Sequence, residues 1–337
     1  MYLVPVPQST AAITQVVPHT YYQGGHPTAI LSDDNHAGFV VTVAVDIYSN
    51  TANTEANLTV VGAWPGALPV TTAASLAAGD NTVNVTIPAS QTIGVRLWHP
   101  HGHGDHPLYN ITATLQTKLA VSGSAGTAAS TSSTRHASAA DSTVTATVTA
   151  TRRLGFRHVA LVTVNDTDPR VVAAGGKGTG QLTMFFRVNG ASVYARGGNK
   201  VPMDLLDGRM DAEAHRQLVR SAAEGNMNTL RVWGGGIWEP RAFWDAADEY
   251  GILLYTDMQF TWGTTGAPHG TASESAELEY QLKRLSHHPS VAMWDGCNEC
   301  GGGGLYESFV MPTVAKFDTS RPIWYVEMKS PIVNHSP

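Results

Sequence analysis

The chain has 337 residues, of which 42% are hydrophobic and 14% are charged, and its formal net charge at pH 7 is −6. This length allows two or three domains, and the low charge argues against wholesale disorder. Lys and Arg together number only 21 and form no basic block, so we expect no nucleic acid partner. The longest apolar runs, such as 39–45, are too short to cross a bilayer, so we expect no membrane partner either.

The N-terminal residues, MYLVPVPQST, contain neither a basic segment nor a long apolar one, so we expect no signal peptide in this chain. Five Asn-x-Ser/Thr sequons are nevertheless present, at Asn57, Asn84, Asn110, Asn165 and Asn334. Such sequons mark surface positions of exported proteins. They suggest a secreted or vacuolar/lysosomal parent, and the sequence leaves the localisation unknown.

Residues 1–165 are predicted to form a β-sandwich. Short segments rich in β-branched residues follow one another, and Val83–Ile87 alternates apolar with polar residues. This period of two, with turn residues at short intervals, is typical of half-buried strands in a sandwich. The predicted strands are Phe39–Tyr48, Asn57–Trp64, Thr82–Ile87, Thr92–Trp98, Leu108–Thr117 and Thr143–Thr151. Residues 121–142 are rich in Ser, Ala, Thr and Gly and predict a disordered insertion.

Four histidines, His99, His101, His103 and His106, occur together in LWHPHGHGDHPLY. They could form a metal site or a turn rich in Gly and Pro between two strands. No paired Cys or acidic cluster accompanies them, and their spacing fits no zinc pattern. We therefore predict a turn and no metal site.

From residue 182 onward, apolar strands alternate with helices. Asn189-Gly190 between apolar segments predicts a hairpin, because both turn positions need positive φ. The predicted helices are Asp211–Glu224, Glu239–Tyr250, Ser273–His288 and Tyr306–Asp318. Each is followed or preceded by a short apolar strand, at Thr229–Trp233, Ile252–Thr256, Val291–Trp294 and Ile323–Val326.

This repeated strand-helix unit predicts a (β/α)8 TIM barrel. A full barrel needs roughly 250 residues, so 182–337 would hold only the N-terminal part. Residues 166–181, rich in Gly, Asp and Thr, predict a linker between the two domains.

The polar residues at the strand ends are the candidates for chemistry, because barrel enzymes place their active sites there. They are Asn199, Asp204, Arg231, Trp233, Asp257, Asn298 and Glu299. A Trp face and several hydrogen-bonding groups suit a sugar ring, and a glycosidic oxygen leaves only when a carboxylic acid protonates it. Glu299 is the candidate acid, although taken alone it could be a surface Glu.

Several segments resemble glycoside hydrolase family two, in its β-mannosidase-like branch. They are FRVNGASVYARGGNKVPMD, NMNTLRVWGGGIWEP, DEYGILLYTDM and LSHHPSVAMWDGCNE, in the family's order and spacing. Upstream, RLGFRHV resembles the end of the family's immunoglobulin-like domain, LWHPHGHGDHPLY its characteristic turn, and LVPVP the end of its N-terminal jelly roll. The resemblance implies an immunoglobulin-like β-sandwich followed by an incomplete TIM barrel.

The resemblance also implies roles for single residues. Glu299 matches the acid/base of a retaining mechanism, and Asn298 matches the Asn that contacts the sugar 2-hydroxyl. Trp233 and Asn199 match positions that line the −1 subsite. Asp204 and Asp257 match acidic residues near it. Arg231 is expected to brace the strand ends by charge-assisted hydrogen bonds.

Three features depart from the family pattern. Lys200 stands where relatives often carry Trp, which predicts a cation in place of a stacking platform. Cys297 and Cys300 flank Asn298 and Glu299, either as a redox or metal pair or by coincidence. The second carboxylate of a retaining mechanism, needed about 5 Å from the acid, is expected outside this chain. Glu327 lacks the flanking residues that the family's nucleophile has.

The implied function is that of a retaining exo-glycosidase that hydrolyses terminal β-D-mannosyl residues. Its partner would be a β-mannoside or a related oligosaccharide, and no cofactor is expected. Exo-β-glucosaminidase and mannosyl-glycoprotein endo-β-mannosidase share the same segments and remain alternatives. A catalytically inactive fragment or a carbohydrate-binding protein is a further alternative.

Overall fold

The computed structural model describes residues 11–120, 143–163, 165–170, 184–261, 268–300 and 304–324. The predicted insertion at 121–142, most of the predicted linker, LVPVP and Glu327 lie outside these residues. In the described part of the chain, no helix has the length and apolar character that crossing a membrane requires.

Two antiparallel sheets form the N-terminal region, with strand orders β1-β2-β5 and β4-β3-β6-β7. The strands are β1 (Ala11–Tyr22), β2 (Phe39–Ser49), β3 (Thr54–Gly62), β4 (Val70–Leu76), β5 (Gly79–Ile87), β6 (Tyr109–Ala120) and β7 (Thr143–Leu154). Every second residue of β2 is buried, as the sequence predicts. Val43, Leu58 and Ile111, from both sheets, belong to one hydrophobic core. The two sheets therefore pack face to face.

The predicted strand at Thr92–Trp98 is wrong. A short 3₁₀ helix, Ala89–Gln91, leads into a turn, and only Leu97 makes an isolated bridge to Phe156. The buried Thr92 hydroxyl accepts a hydrogen bond from the Phe39 amide at 2.6 Å and donates one to the Phe39 carbonyl at 2.8 Å. This side chain replaces the backbone pairing that a strand would supply, so the apolar pattern arises without a strand.

A small antiparallel sheet follows, formed by β8 (Val159–Val162), β9 (Phe185–Val188) and β10 (Ala191–Val193). The predicted hairpin between β9 and β10 is confirmed, since Asn189 has φ 49° and Gly190 has φ 81°. Asp166, at the start of the predicted linker, is buried and accepts a hydrogen bond from Arg187 Nη2 at 2.6 Å. This ion pair ties the segment after β8 to β9.

Five parallel strands form the second large sheet, in the order β11-β12-β13-β14-β15. The strands are β11 (Gly197–Lys200), β12 (Thr229–Val232), β13 (Leu253–Asp257), β14 (Val291–Asp295) and β15 (Ile323–Trp324). The helices that alternate with them are α1 (Ala212–Glu224), α2 (Arg241–Tyr250), α3 (Ala272–Leu285) and α4 (Met311–Phe317). The predicted alternation of strand and helix is therefore present. Strands that are consecutive in the chain lie side by side in the sheet.

The helix ends follow the local sequence. Thr271 and Glu274 form the predicted capping box at the start of α3, which satisfies two free backbone amides. Gly251 ends α2 with φ 71°, a conformation that glycine adopts without steric cost. The last predicted helix differs, because it begins as a π-helical turn, Tyr306–Val310, before α4.

Trp98 joins the N-terminal region to the parallel sheet. Its side chain is fully buried in a core that also contains Phe186, Leu253 and Met293. Its indole nitrogen donates to the Asp248 carbonyl at 2.8 Å, at the C-terminal part of α2. The contacts of Trp98 thus attach the parallel sheet to the N-terminal region. The polar residues at the C-terminal ends of the parallel strands lie away from this attachment.

We expect the substitution Trp98→Ala to lower the free energy of unfolding by about 3–5 kcal/mol, because it leaves a large cavity in a buried apolar core. The midpoint of urea unfolding measures this change. Tyr194→Ala is the matched control, since that aromatic side chain is 82% exposed and its loss should change the midpoint little. Equal effects of the two substitutions would contradict the docking role of Trp98.

Candidate active site

The C-terminal ends of β12, β13 and β14 meet at one edge of the parallel sheet. Their register places Arg231 beside Tyr255, and Asp257 beside Asp295. Side chains that alternate along a strand point to opposite faces, so Tyr255 and Asp257 share one face. Polar groups from three strands are therefore brought together where the sequence predicts them.

Arg231 is the centre of this group. Its guanidinium donates to both carboxylate oxygens of Asp257, from Nε at 3.0 Å and from Nη2 at 2.7 Å. Nη2 also donates to Asn298 Oδ1 at 2.9 Å. Burial opposes the charge on the guanidinium, but the carboxylate of Asp257 outweighs it and raises the pKa of Arg231. Arg231 thus braces the strand ends and fixes the amide of Asn298.

The glycine-rich turn after β12 is shaped by the same carboxylate. The amide of Gly234 donates to Asp257 Oδ2 at 2.9 Å. A Cβ on Gly234 would lie 2.7 Å from the Met258 carbonyl oxygen, so only glycine fits. The half-buried Trp233 ring lies against Gly235, where a Cβ would overlap it. The WGGG segment therefore lets an indole ring lie close to the backbone at the strand ends.

Asn298 and Glu299 follow β14 in an extension of the sheet. The amide of Asn298 donates to the Phe260 carbonyl at 3.0 Å, and Asn298 forms a parallel bridge with Thr261. Asn298 is 5% exposed, whereas the next residue, Glu299, is exposed. Glu299 has φ 55°, a left-handed conformation that non-glycine residues rarely adopt. The fixed amide and the accessible carboxylate are therefore neighbours at the same edge.

Cys297 and Cys300 form a disulfide, with their Cα atoms 5.8 Å apart. That separation is in the usual range for disulfides. The bond leaves neither sulfur as a thiolate for a metal ion. Of the alternatives that the sequence leaves open, a metal pair therefore does not fit this arrangement.

Asn199 and Asp204 are not joined to Arg231 by any hydrogen bond between described residues. Asn199 is exposed at the end of β11, next to Arg231 in register, and lines a groove of about 700 Å³ between β11 and α1. Asp204 lies in the following loop, where it accepts the Leu206 amide at 3.0 Å and pairs with Arg209 at 3.3 Å. The structure thus gives Asp204 the contacts of a turn, and its place near a sugar stays a prediction.

The sequence predicts that Lys200 presents a cation to the site, and this prediction is wrong. The Lys200 side chain is 2% exposed and forms a buried ion pair with Glu239, which is also 3.3 Å from His215. Its ammonium lies 5.6 Å from the centre of the Phe243 ring. Because successive residues of a strand face opposite sides, Lys200 points away from the face of Asn199. A substrate at the strand ends would not meet this charge.

Tyr255 and Asp295 were missed as site residues by the sequence analysis. The Tyr255 hydroxyl donates to Asp295 Oδ2, and burial raises the pKa of Asp295 to about 7, with the charge of Asp257 adding to the rise. Burial and then Asp295 raise the pKa of Tyr255. Asp295 ends an apolar strand as Asp257 does, and this similarity was the available sequence signal.

The histidine segment is a turn, as predicted. His101 donates its amide to the Gly251 carbonyl at 2.8 Å, and His106 Nδ1 lies 2.7 Å from the His99 carbonyl. The turn therefore packs on the end of α2. Among the described residues, Asp245, Asp248 and His288 lie close enough to hold a metal ion.

These three residues already have partners. His288 Nδ1 is 2.6 Å from Asp248 Oδ2. Asp245 pairs with Arg153 at 3.2 Å and with Arg241 at 3.0 Å. We interpret the cluster as an ion-pair network between the sandwich strand β7 and helix α2, rather than as a metal centre.

No family model matches the chain. It is 30% identical to β-mannosidase from Rattus norvegicus over 224 residues, which is 66% of this chain and 21% of that protein. It is 34% identical to β-mannosidase B from Thermothelomyces thermophilus over 222 residues, again 66% of this chain and 21% of the relative. The chain thus spans about a fifth of the length of these curated relatives.

The fold is similar to that of β-D-mannosidase from Dictyoglomus thermophilum. The TM-score is 0.65 at 22% identity, and the match covers 93% of this chain and 34% of that one. Two lines of comparison therefore agree with the resemblance seen in the sequence.

We expect Asp295 to make stability depend on pH. The carboxyl titrates near 3.8 in the unfolded chain and near 7 when folded, so between these values the folded state holds the extra proton. Stability should then fall as pH rises, by about 1.4 kcal/mol per pH unit. Asp295→Asn should remove this slope in urea unfolding at pH 4.5, 5.5 and 6.5, while the exposed Asp80→Asn should keep it. Parallel profiles for wild type and Asp295→Asn would refute the assignment.

We expect Lys200→Met to destabilise the fold by about 3–5 kcal/mol, because it leaves Glu239 buried without its cation. Arg220→Met is the matched control, since the pair of Arg220 with Glu224 is exposed and should contribute less than about 1 kcal/mol. Urea unfolding measures both. A neutral Lys200→Met variant with weakened sugar binding would show that Lys200 belongs to the site after all.

Proposed function

Since the chain is a β-mannosidase-like protein of glycoside hydrolase family two, we propose that it carries the acid/base half of a retaining exo-glycosidase acting on terminal β-D-mannosyl residues. One observation carries the proposal. Arg231 holds Asn298 by a 2.9 Å hydrogen bond directly beside the exposed carboxylate of Glu299, at the C-terminal ends of parallel strands. The curated relatives are β-mannosidases, and this supports mannose as the sugar.

In the proposed mechanism, Glu299 protonates the glycosidic oxygen as the bond to the leaving group breaks. It then accepts a proton from the water that attacks the sugar. Its exposure suits this task, because both the leaving group and the water must reach it. Asn298 binds the sugar 2-hydroxyl, and the Trp233 ring offers an apolar face to the sugar.

We place the nucleophile outside the described residues. A retaining mechanism needs a carboxylate that is free to attack the anomeric carbon. Asp257 has both oxygens bound by Arg231, and Asp295 accepts the Tyr255 hydroxyl. Neither carboxylate is available for attack in this arrangement. Glu327 also lies outside the described residues, and its flanking sequence does not support it.

We further propose the domain organisation that the resemblance implies. Residues 1–165 would be an immunoglobulin-like β-sandwich, 166–181 a linker, and 182–337 the N-terminal part of a TIM-barrel catalytic domain. The two face-to-face sheets support the first part. The sequential parallel strands with alternating helices support the last. The pairing of β8 with β9 means that the two parts share a small sheet.

Related sugars are the main alternatives. Exo-β-glucosaminidase and mannosyl-glycoprotein endo-β-mannosidase would use the same acid/base group. Rates on 4-nitrophenyl β-mannoside and β-glucosaminide, measured side by side, separate the first alternative. Saturable binding of mannose without turnover by the full-length protein would instead support a carbohydrate-binding protein.

We expect Glu299→Gln, introduced into the full-length protein, to lower kcat/KM for phenyl β-mannoside by about 10²–10⁴-fold, because the amide cannot protonate the leaving oxygen. Glu55→Gln, at an exposed Glu on β3 of the sandwich, is the matched control and should retain wild-type rates. Steady-state hydrolysis measures both. Full activity of Glu299→Gln would exclude it as the acid/base residue.

A further inference from the structure

A disulfide encloses the residue proposed to bind the sugar and the residue proposed to protonate the glycosidic oxygen. Cys297 and Cys300 are bonded, and only Asn298 and Glu299 lie between them. We propose that this disulfide is a positioning clamp for the Glu299 carboxylate. The inference rests on the proposed function of Glu299 and adds a redox dependence to it.

The two ends of the loop differ in how firmly they are held. Cys297 is 1% exposed, belongs to the core of the parallel sheet, and donates its amide to Asp295 Oδ1 at 3.3 Å. Cys300 is only partly buried against that core. The bond therefore ties the less buried Cys300 to Cys297, which cannot move without disturbing β14.

Asn298 does not need the clamp. Its backbone amide bonds to Phe260 and its side chain to Arg231, so it is fixed from two sides. Glu299 has no comparable support. Among the hydrogen bonds of the described residues, its carboxylate takes part in a single long one, from Asn298 Nδ2 at 3.4 Å. Within the described part of the chain, the remaining constraint on this carboxylate is the backbone that carries it.

The backbone of Glu299 has a conformation that the chain would not choose by itself. Its φ of 55° is in the left-handed region, which disfavours a residue with a side chain. A residue persists there when the surrounding structure holds it. The disulfide that closes on its C-terminal neighbour supplies that constraint. Once the bond is reduced, the backbone of Glu299 should relax toward a right-handed or extended conformation. Its carboxylate should then move away from the glycosidic oxygen that it protonates.

The reaction that opens the clamp is thiol-disulfide exchange. A dithiol reductant attacks the partly exposed sulfur of Cys300 and forms a mixed disulfide, and Cys297 takes up a proton as its thiolate is released. The second thiol of the reductant then displaces Cys300. Two electrons and two protons pass to the protein, and the reductant becomes a cyclic disulfide.

An oxidising compartment would keep the clamp closed. Disulfides persist in secreted proteins and are reduced in the cytosol. The sequon asparagines Asn57, Asn84, Asn110 and Asn165 are all exposed, as glycosylation in such a compartment would require. The two features are independent and point to the same environment.

The test compares two leaving groups in the full-length protein before and after reduction with dithiothreitol. Phenyl β-mannoside needs protonation by Glu299, whereas 2,4-dinitrophenyl β-mannoside has a leaving group that departs without it. We expect reduction to lower kcat/KM for the phenyl glycoside at least about 10-fold and that for the dinitrophenyl glycoside less than about 2-fold. Reoxidation should restore the first value. Equal losses on both substrates, or no loss, would overturn the proposal.

The double substitution Cys297→Ser and Cys300→Ser should resemble the reduced protein and should not respond to dithiothreitol. Iodoacetamide labelling followed by mass spectrometry counts the thiols, and this chain contributes only these two cysteines. We expect neither to be labelled before reduction and both to be labelled after it. Labelling of both in the untreated protein would overturn the proposal.

Hydrogen exchange separates failure of the clamp from failure of the proposed function. If the oxidised protein hydrolyses neither glycoside, the proposed function fails. The clamp is then judged by exchange alone. Faster exchange at Glu299 and Cys300 after reduction, with Arg231 and its strand unchanged, supports it. Unchanged exchange at these two residues overturns it.

Discussion

The ion pair between Arg231 and Asp257 is the interaction on which the candidate site depends. A guanidinium with a fixed planar fork meets a buried carboxylate at both oxygens, and one nitrogen still reaches Asn298. The same carboxylate accepts the Gly234 amide and so shapes the turn that carries Trp233. One charge pair with a buried carboxylate therefore orders the ends of three neighbouring strands.

The fold attaches the parallel sheet to the N-terminal region at one end of its strands and carries the candidate site at the other end. Trp98 and the small sheet pack against the start of the parallel strands, through Leu253 and Ala292. The polar side chains lie at the opposite ends of the same strands, where no part of the described sandwich binds them. A rigid attachment at one end leaves the other end open to a ligand, as in many enzymes built on parallel sheets.

The proposed acid/base residue and the proposed sugar-binding residue beside it are held unequally by their surroundings. Asn298 is held by backbone and side-chain bonds, whereas Glu299 is exposed and has a left-handed backbone. The disulfide between Cys297 and Cys300 encloses both, so it matters mainly for the residue with fewer contacts. Similarly, the buried pair of Lys200 with Glu239 removes a cation from the site that the sequence placed there. The ammonium of Lys200 also lies over the Phe243 ring, a contact that favours the charged form.

The sequence by itself determined the elements with strong local signals. The strand-helix alternation, the Asn189-Gly190 hairpin and the capping box at Thr271 follow from residue spacing and backbone preference, which act over a few positions. The segment Thr92–Trp98 shows the limit of this, because the same apolar pattern serves a turn that a buried hydroxyl stabilises.

Only the tertiary structure decided which side chains meet. Asp204 and Asp257 looked equivalent in the sequence, yet Arg231 lies beside one and not the other. The burial of Lys200 and the pairing of Tyr255 with Asp295 depend on which face of a strand is covered, and on residues far away in the chain. Long-range packing sets these contacts, and no local pattern encodes them.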